Sequence, residues 1–350
     1  MSSARSRRSK TPLLVVSTGC PAGVGPEVSV AAAARFDAAA CVLVGDPGVL
    51  QRAAELRGVN RKRLVPFQGE APEPGQIAVF PAGPKLGARD ITPGKPSKAA
   101  GAAELQYIEE AYALARAGAR RGLVTGPVSK AAIAHSGLRR ARRFLGHTEW
   151  LGELDGAPHT VMCFAGDRLV TSLVTTHLPL TRVPRALTPE GVHVATLELV
   201  RLLHALGHRV PRVAVASLNP HAGESELLGE EERHAIWPGL QAAQKELGAR
   251  ARVVGPIGAE TAYRKAYARE YDGVVAMYHD QATIPMKLVA FGDAVNVTMG
   301  LTIVRTSVDH GTAYDIAWRG VADPAGMRAA LELGARLSSS RSKAPLRARK

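Results

Sequence analysis

Short apolar runs alternate along the chain with stretches in which apolar residues recur every three or four positions. Leu13-Leu14-Val15-Val16 reads as a buried strand that enters a Gly/Pro loop, and an Ala-rich helix is predicted from about Pro26. Cys41-Val42-Leu43-Val44 reads as a second strand, ended by Gly45-Asp46. Residues 58–97 are rich in Pro and Gly, with a short strand near Ile77-Ala78-Val79-Phe80. Over 99–119, Leu105, Ile108, Ala111, Tyr112 and Ala115 share one helical face, and Gly122 to Pro127 is strand running into loop. The texture then changes. Val161–Phe164 and Leu169–Val174 flank Ala165-Gly166-Asp167-Arg168, a β-hairpin pattern. A helix from about Pro189 to Leu206, a strand over Val213–Leu218 and a helix over 229–247 follow. The last third returns to alternation, with Tyr271–Ala276 as a buried strand before M-Y-H-D-Q-A-T-I-P-M-K at 277–287. No internal repeat is visible.

This order predicts an α/β fold with an antiparallel insertion, hence two lobes and a cleft between them. Ligands in open α/β sheets sit beyond the carboxyl ends of the strands, so chemistry is sought there. Composition sharpens the picture. With 350 residues, 46% hydrophobic and 5% aromatic, two domains built on small aliphatic side chains are expected. No run of about 18 apolar residues is present to span a membrane, and the N-terminal pattern does not read as a signal peptide. Cys20, Cys41 and Cys163 are widely spaced, which suits a reduced cytoplasm and no thiolate metal site.

The formal charge of +14 changes less than it promises. Residues 1–10 and 338–350 hold nine of those charges and no acid, and both tails read as disordered and solvated. No stacking aromatics interleave the cations, which argues against a nucleic-acid binder.

Four strand-end segments each centre on one histidine: Gly146-His147-Thr148-Glu149, Thr175-Thr176-His177-Leu178, Asn219-Pro220-His221-Ala222 and Tyr278-His279-Asp280-Gln281. Imidazole is the commonest nitrogen ligand of borderline metals and the natural proton shuttle. A catalytic metal takes three protein ligands and keeps a position open. His193, His204, His208 and His234, in predicted helices, and His135 and His159, in predicted turns, read as ordinary structural residues. The loop Gly19 to Glu27 follows a strand and opens a helix. Its Gly23 and Gly25 are either an anion-binding loop or a tight turn, and it is not the G-x-G-x-x-G dinucleotide pattern. Lys287, Asn296 and Arg305 together suit a phosphate or carboxylate. Ser307 to Ala317 combines a histidine, a glycine turn and a predicted helix start, a place to hold an adenosine.

In combination these motifs resemble the 4-hydroxythreonine-4-phosphate dehydrogenase family of pyridoxal phosphate biosynthesis, within the isocitrate/isopropylmalate dehydrogenase-like superfamily. The resemblance covers about Leu13 to Asp323 and rests on P-A-G-V-G-P-E, T-G-P-V-S-K, G-H-T-E, T-H-L-P-L, L-N-P-H-A-G-E, Y-H-D-Q and D-H-G-T-A. It implies a two-lobed α/β/α fold with an active-site cleft between the lobes. The implied division is 11–145 plus 296–337 as a cofactor-side lobe and 146–295 as a lobe carrying metal ligands and dimer contacts. It implies that His177, His221 and His279 bind a divalent metal (zinc, magnesium or cobalt) contributed by two subunits of a homodimer. His147, Thr148, Lys287, Asn296 and Arg305 would touch a small phosphorylated substrate. NAD, or NADP in its place, would lie along Asp309, His310, Gly311 and Thr312.

The implied reaction oxidises 4-(phosphooxy)-L-threonine to a 2-amino-3-oxo acid that loses carbon dioxide to give 3-amino-2-oxopropyl phosphate, in the cytoplasm. The chain departs from the family pattern at Cys20, where an acid is usual, at Ala282 and Thr283, at Glu260, and in the arginine run Arg139, Arg140, Arg142 and Arg143. A related dehydrogenase acting on a four-carbon sugar-acid phosphate or a cyclic diol carboxylate therefore stays open. From the histidines alone, so does a three-histidine metal hydrolase.

Overall fold

Each apolar run singled out above becomes a strand in the computed structural model, which describes residues 11–290 and 292–340. The strands are β1 Leu13–Ser17, β2 Ala40–Gly45, β3 Leu64–Pro66, β4 Ile77–Pro81, β5 Arg121–Thr125, β6 Val161–Ala165, β7 Val170–Leu173, β8 Arg212–Ala216, β9 Arg252–Ile257, β10 Gly273–Ala276, β11 Val295–Met299 and β12 Val304–Ser307. The helices are α1 Gly25–Ala33, α2 Pro47–Leu56, α3 Lys98–Arg116, α4 Lys130–Ala134, α5 His147–Asp155, α6 Val183–Ala186, α7 Pro189–Ala205, α8 Trp237–Leu247, α9 Ala259–Tyr267, α10 His279–Ala290 and α11 Ala325–Ser340. Residues 1–10 and 341–350 of the basic tails lie outside the described residues; α11 carries the chain in helix through 338–340.

The chain divides into two compact units, Met1–Pro158 with Leu301–Lys350, and His159–Gly300. The first break falls after α5 because Trp150 and Leu151 are buried in the core of the first unit, with Tyr107, Ile108, Leu301 and Ile303. His147 and Thr148 therefore belong to that unit.

In the first unit the strands lie in the order β3-β4-β2-β1-β5-β12, all parallel. Leu14, Val15 and Val16 are sealed on both faces, as a parallel strand covered by helices requires. The chain leaves β1 in one direction to β2 and returns on the other side as β5. The loops after β1, β5 and β12 therefore share the carboxyl end beside a topological switch point.

Helix α3 starts at the Ser97 cap, whose hydroxyl accepts the Ala100 N–H, and packs Leu105, Ile108, Ala111 and Tyr112 inward. Gly101 sits where α3 meets α4: a Cβ there would lie 2.1 Å from the Ala132 carbonyl oxygen. Alanine normally gains up to about 1 kcal/mol over glycine inside a helix. Here the obstacle is backbone, and overpacking of this kind costs about 1–3 kcal/mol. Gly101→Ala is expected to lower the thermal unfolding midpoint, read by circular dichroism.

In the second unit the order is β11-β6-β7-β10-β8-β9. The predicted hairpin is present: β6 pairs antiparallel with β7 and with β11. Strands β7, β10, β8 and β9 are parallel, with a bulge at Ala214/Ala216. The core gathers Met162, Phe164, Leu173, Val274, Ala282 and Met286. Ala282 and Thr283, two of the departures from the family pattern, are buried on the inner side of α10.

The helix expected over 229–247 is present from Glu231 to Leu247, with a π turn over Glu232–Ile236 running directly into α8. Two expectations need correction. His208 lies beyond the end of α7, not inside a helix. Residues 308–317 do not start a helix; the next one is α11, and Thr312 instead accepts the Val24 N–H at 3.0 Å.

Candidate active site

The second unit places three of the four singled-out histidines on one end. Strands β7, β10 and β8 are successive parallel neighbours, and His177, His279 and His221 follow their carboxyl ends. The His177 and His279 rings meet with centroids 5.5 Å apart, tilted by 40°. Asp280 Oδ1 lies 2.7 Å from His279 Nδ1, which fixes that ring and leaves its lone pair on Nε2. His221 stands exposed on a short turn, Pro220–Gly223. Among the described residues, no three His, Cys, Asp or Glu side chains converge as a metal site within one chain. The donor chemistry of this end suits a divalent cation, but the two imidazoles in contact fall short of the usual three protein ligands.

Side chains that the sequence reading left unassigned hold these strand ends together. Gln281 Oε1 accepts the Met277 N–H at 2.7 Å, and its Nε2 donates to the Ser217 carbonyl at 2.8 Å. Thr175 Oγ1 donates to the Met277 carbonyl at 2.7 Å. All three strand ends are thereby tied. Glu232 anchors the turn carrying His221, accepting both the Leu218 and Asn219 N–H groups. Gln281 and Thr175 stood inside the quoted histidine segments, a signal that pointed to them. Glu232 had no such signal.

Lys287 is exposed on α10 and Asn296 is half-buried on β11. The histidines expected to be ordinary structural residues each find a partner in the fold. His159 reaches Glu198, His193 reaches Glu246 and His234 reaches Glu230. His135 and His204 engage backbone carbonyls, and His208 pairs with Asp272.

The first unit builds a cationic cluster. Arg305, on β12, is 3% exposed, and its Nη2 donates to Thr125 Oγ1 at 2.7 Å. Burial pulls its guanidinium down to about 9, with Glu149 working the other way, so it stays charged at neutral pH. His147 opens α5, its ring edge-on to Phe144 with centroids 6.1 Å apart. Its Nε2 is shut from solvent and meets no hydrogen-bond partner among the described residues. Burial first, then the Arg305 and Lys130 cations, hold it well below 6.5. It is a neutral donor–acceptor beside two cations, suited to an anionic or hydroxylated ligand.

Below 6.5 the unfolded chain takes up a proton at this position that the folded chain refuses. Stability is expected to fall by up to about 1.4 kcal/mol per pH unit below that value. His147→Gln should flatten that part of a stability–pH curve measured by urea unfolding.

Lys130, in T-G-P-V-S-K, was not among the expected site residues, though its motif was. A Cβ on Gly146 would lie 2.8 Å from Glu149 Oε2 and 3.4 Å from Lys130 Nζ, so the glycine lets both groups close around the backbone before His147. Thr148 is buried one residue further on.

In the loop after β1 two amides have backbone partners. The Gly23 N–H donates to the Cys20 carbonyl and the Val24 N–H to the Thr312 carbonyl. A Cβ on Gly25 would lie 2.3 Å from the Thr18 carbonyl oxygen. These amides are already engaged, which supports a tight turn. Cys20 is buried, with its sulfur 3.5 Å from Tyr314 Oη. Nearby Glu104, fully buried, accepts the Ser129 N–H, and burial raises its carboxyl to about 8. Asp309 and Thr312 are half-buried and His310 and Gly311 exposed, with His310 Nδ1 2.9 Å from the Gly311 carbonyl oxygen. In the arginine run, Arg140 pairs with Glu109 and Arg143 with Glu153, so half of it is a neutralised surface.

Among the described residues no helix is long and apolar enough to cross a membrane. All three cysteines are free and buried.

The family model described as "Pyridoxal phosphate biosynthetic protein PdxA" matches residues 37–334. The chain is 40% identical over 331 residues to a 4-hydroxythreonine-4-phosphate dehydrogenase of Desulfosudis oleivorans, covering 92% of this chain and 95% of the relative. It is 38% identical over 329 residues to a Cutibacterium acnes protein provisionally named D-threonate 4-phosphate dehydrogenase, covering 93% of each. A crystal structure of 4-hydroxythreonine-4-phosphate dehydrogenase from Klebsiella pneumoniae superposes with a TM-score of 0.79 at 33% identity, over 94% of this chain and all of that one. These likenesses set aside the hydrolase reading and place the fold among those of the isocitrate/isopropylmalate dehydrogenase type. The chain belongs to the PdxA family and is an enzyme of the dehydrogenase class.

Proposed function

We propose that this chain oxidises 4-(phosphooxy)-L-threonine with NAD and a divalent metal. The product is a 2-amino-3-oxo acid that decarboxylates to 3-amino-2-oxopropyl phosphate, in cytoplasmic pyridoxal 5'-phosphate synthesis. One observation carries the reading: His177 and His279 are side by side at adjacent strand ends, with His221 on the next, in a chain 40% identical to a relative of that name.

His177, His221 and His279 are the ligand set. A divalent cation held by these imidazoles would supply Lewis acidity at the substrate hydroxyl, and NAD would serve as the hydride acceptor. Asp280 orients His279. Lys287, Asn296 and Arg305 bind the phosphate, and spend that binding energy on orienting the reacting carbon. His147, neutral at working pH, and Thr148 bind the polar end of the substrate. Asp309, His310, Gly311 and Thr312 take the cofactor, with NADP as the alternative.

Among the described residues His177 and His279 are in ring contact and no three-ligand group forms, which supports a homodimer in which a second copy completes the set. The surface chemistry supports this. Exposed Leu178 and Leu180 follow His177, Leu227 and Leu228 follow His221, and Ile284 and Leu288 follow His279. Large apolar side chains left bare beside every proposed ligand favour association.

A second reading keeps all of this and changes the substrate to D-threonate 4-phosphate, favoured by the Cutibacterium acnes relative. The two are separated by supplying each phosphate with NAD and a divalent metal and following nicotinamide absorbance. Reduction with the hydroxythreonine phosphate, abolished by a chelator, is the expected result. Reduction with threonate phosphate alone selects the second reading, and reduction with neither removes both.

A further inference from the structure

The segment after β8 is wound against the preference of its residues. His221, Ala222, Glu224, Ser225 and Glu226 have φ between 43° and 74°, and Gly223 has φ 83°. In that region an L side chain crowds the following carbonyl, so a run of such residues does not hold itself. The holding group is Glu232, the first residue of the π turn and 7% exposed. Its Oε1 accepts the N–H groups of Leu218 at 2.9 Å and Asn219 at 2.8 Å, and its Oε2 accepts Asn219 Nδ2 at 2.9 Å. The same Nδ2 lies 2.7 Å from Glu231 Oε2. The turn closes over this carboxylate, since a Cβ on Gly223 would sit 3.0 Å from Glu232 Oε2.

We propose that Glu232 is the positioning residue of His221: its buried carboxylate fixes the backbone two residues before the imidazole, and thereby sets the affinity of that imidazole for a divalent cation. This rests on the reading of His221 as a metal ligand. Two consecutive backbone amides and a side-chain amide directed at one carboxylate make a charge-assisted clamp. Glutamine keeps the shape but presents an NH2 group to one side of the clamp, so Glu232→Gln misplaces the turn without emptying the space.

The test uses the full chain and cobalt(II) or zinc(II) alone, by competition with a chromophoric chelator and by the visible absorption of bound cobalt. His221→Ala should weaken binding by about 10–100-fold or more, and Glu232→Gln by on the order of 10-fold, with a shifted cobalt spectrum. Circular dichroism and the unfolding midpoint are recorded for each variant. A merely structural role would move the midpoint and leave cobalt affinity and spectrum alone, which overturns the proposal. If Glu232→Gln does not fold, Asn219→Ala, which keeps both backbone amide bonds, carries the same test: a several-fold loss supports the proposal and wild-type affinity overturns it. Weak binding by His221→Ala with wild-type binding by Glu232→Gln sinks the role of Glu232 alone. Wild-type binding by His221→Ala sinks the ligand reading itself.

Discussion

His177→Ala is expected to lower kcat/KM by at least about 10³ at saturating metal, while the thermal midpoint stays within a degree or two of the parent. The two halves have separate causes. His177 is exposed beyond the end of β7, so its ring contributes little to the core, and surface substitutions typically change stability by less than about 0.5 kcal/mol. Its functional weight comes from the ring 5.5 Å away on His279. On the proposed ligand set, removing one of three imidazoles would leave a cation with too few protein ligands, and the Lewis acidity it would supply is worth several kcal/mol at the reacting oxygen. At about 1.4 kcal/mol per factor of ten, three orders of magnitude correspond to about 4 kcal/mol. His135→Ala is the matched control: among the described residues that ring engages the Ala131 carbonyl, away from the strand ends, so nicotinamide reduction should be unchanged. Parental turnover in the His177 variant, with metal in excess, would remove the metal assignment.

The histidines of this site were legible because each stands directly after an apolar run that becomes a strand, a local pattern that needs no tertiary knowledge. What the chain did not disclose locally is the order β7-β10-β8, which makes His279 the neighbour of both others. That order is set by pairings between residues far apart in the chain, such as Val274 with Thr171 on one side and with Ala214 on the other. The clamps were hidden for the same reason. Gln281 reaches a carbonyl 64 residues away, and only the folded register brings it there. Glu232 falls inside the helix expected over 229–247, and nothing local marks the two amides it captures 13 and 14 residues back. The 308–317 segment misled in the opposite direction. Its polar and glycine-turn pattern resembles a helix start, but its Thr312 carbonyl is taken by Val24 and the backbone runs on as turns.

Arg305→Met is expected to separate function from stability in the opposite sense from most core substitutions. Arg305 is 3% exposed, and burial disfavours its charge strongly enough to pull the guanidinium down to about 9. A folded-state value below the usual 12.5 means that the charged form weakens the fold at neutral pH. Replacing a whole buried ion pair or triad by apolar side chains of similar volume is often neutral or stabilising by about 1–4 kcal/mol, because the desolvation cost goes with the charges; here burial is the larger influence on Arg305 and Glu149 the smaller. The donation to Thr125 Oγ1 is lost, but that hydroxyl still lies 3.0 Å from Ser307 Oγ. The unfolding midpoint should therefore hold or rise. Substrate recognition should collapse, because a desolvated guanidinium facing an anion contributes about 2–5 kcal/mol, and its removal also relieves the field that keeps His147 neutral. A fall of about 10²–10³ in kcat/KM, mostly in KM, together with an unchanged or higher midpoint in urea, is the expected pair of results. A variant that unfolds earlier and binds the phosphorylated substrate as tightly as its parent would mean that this cation serves the fold and not the ligand.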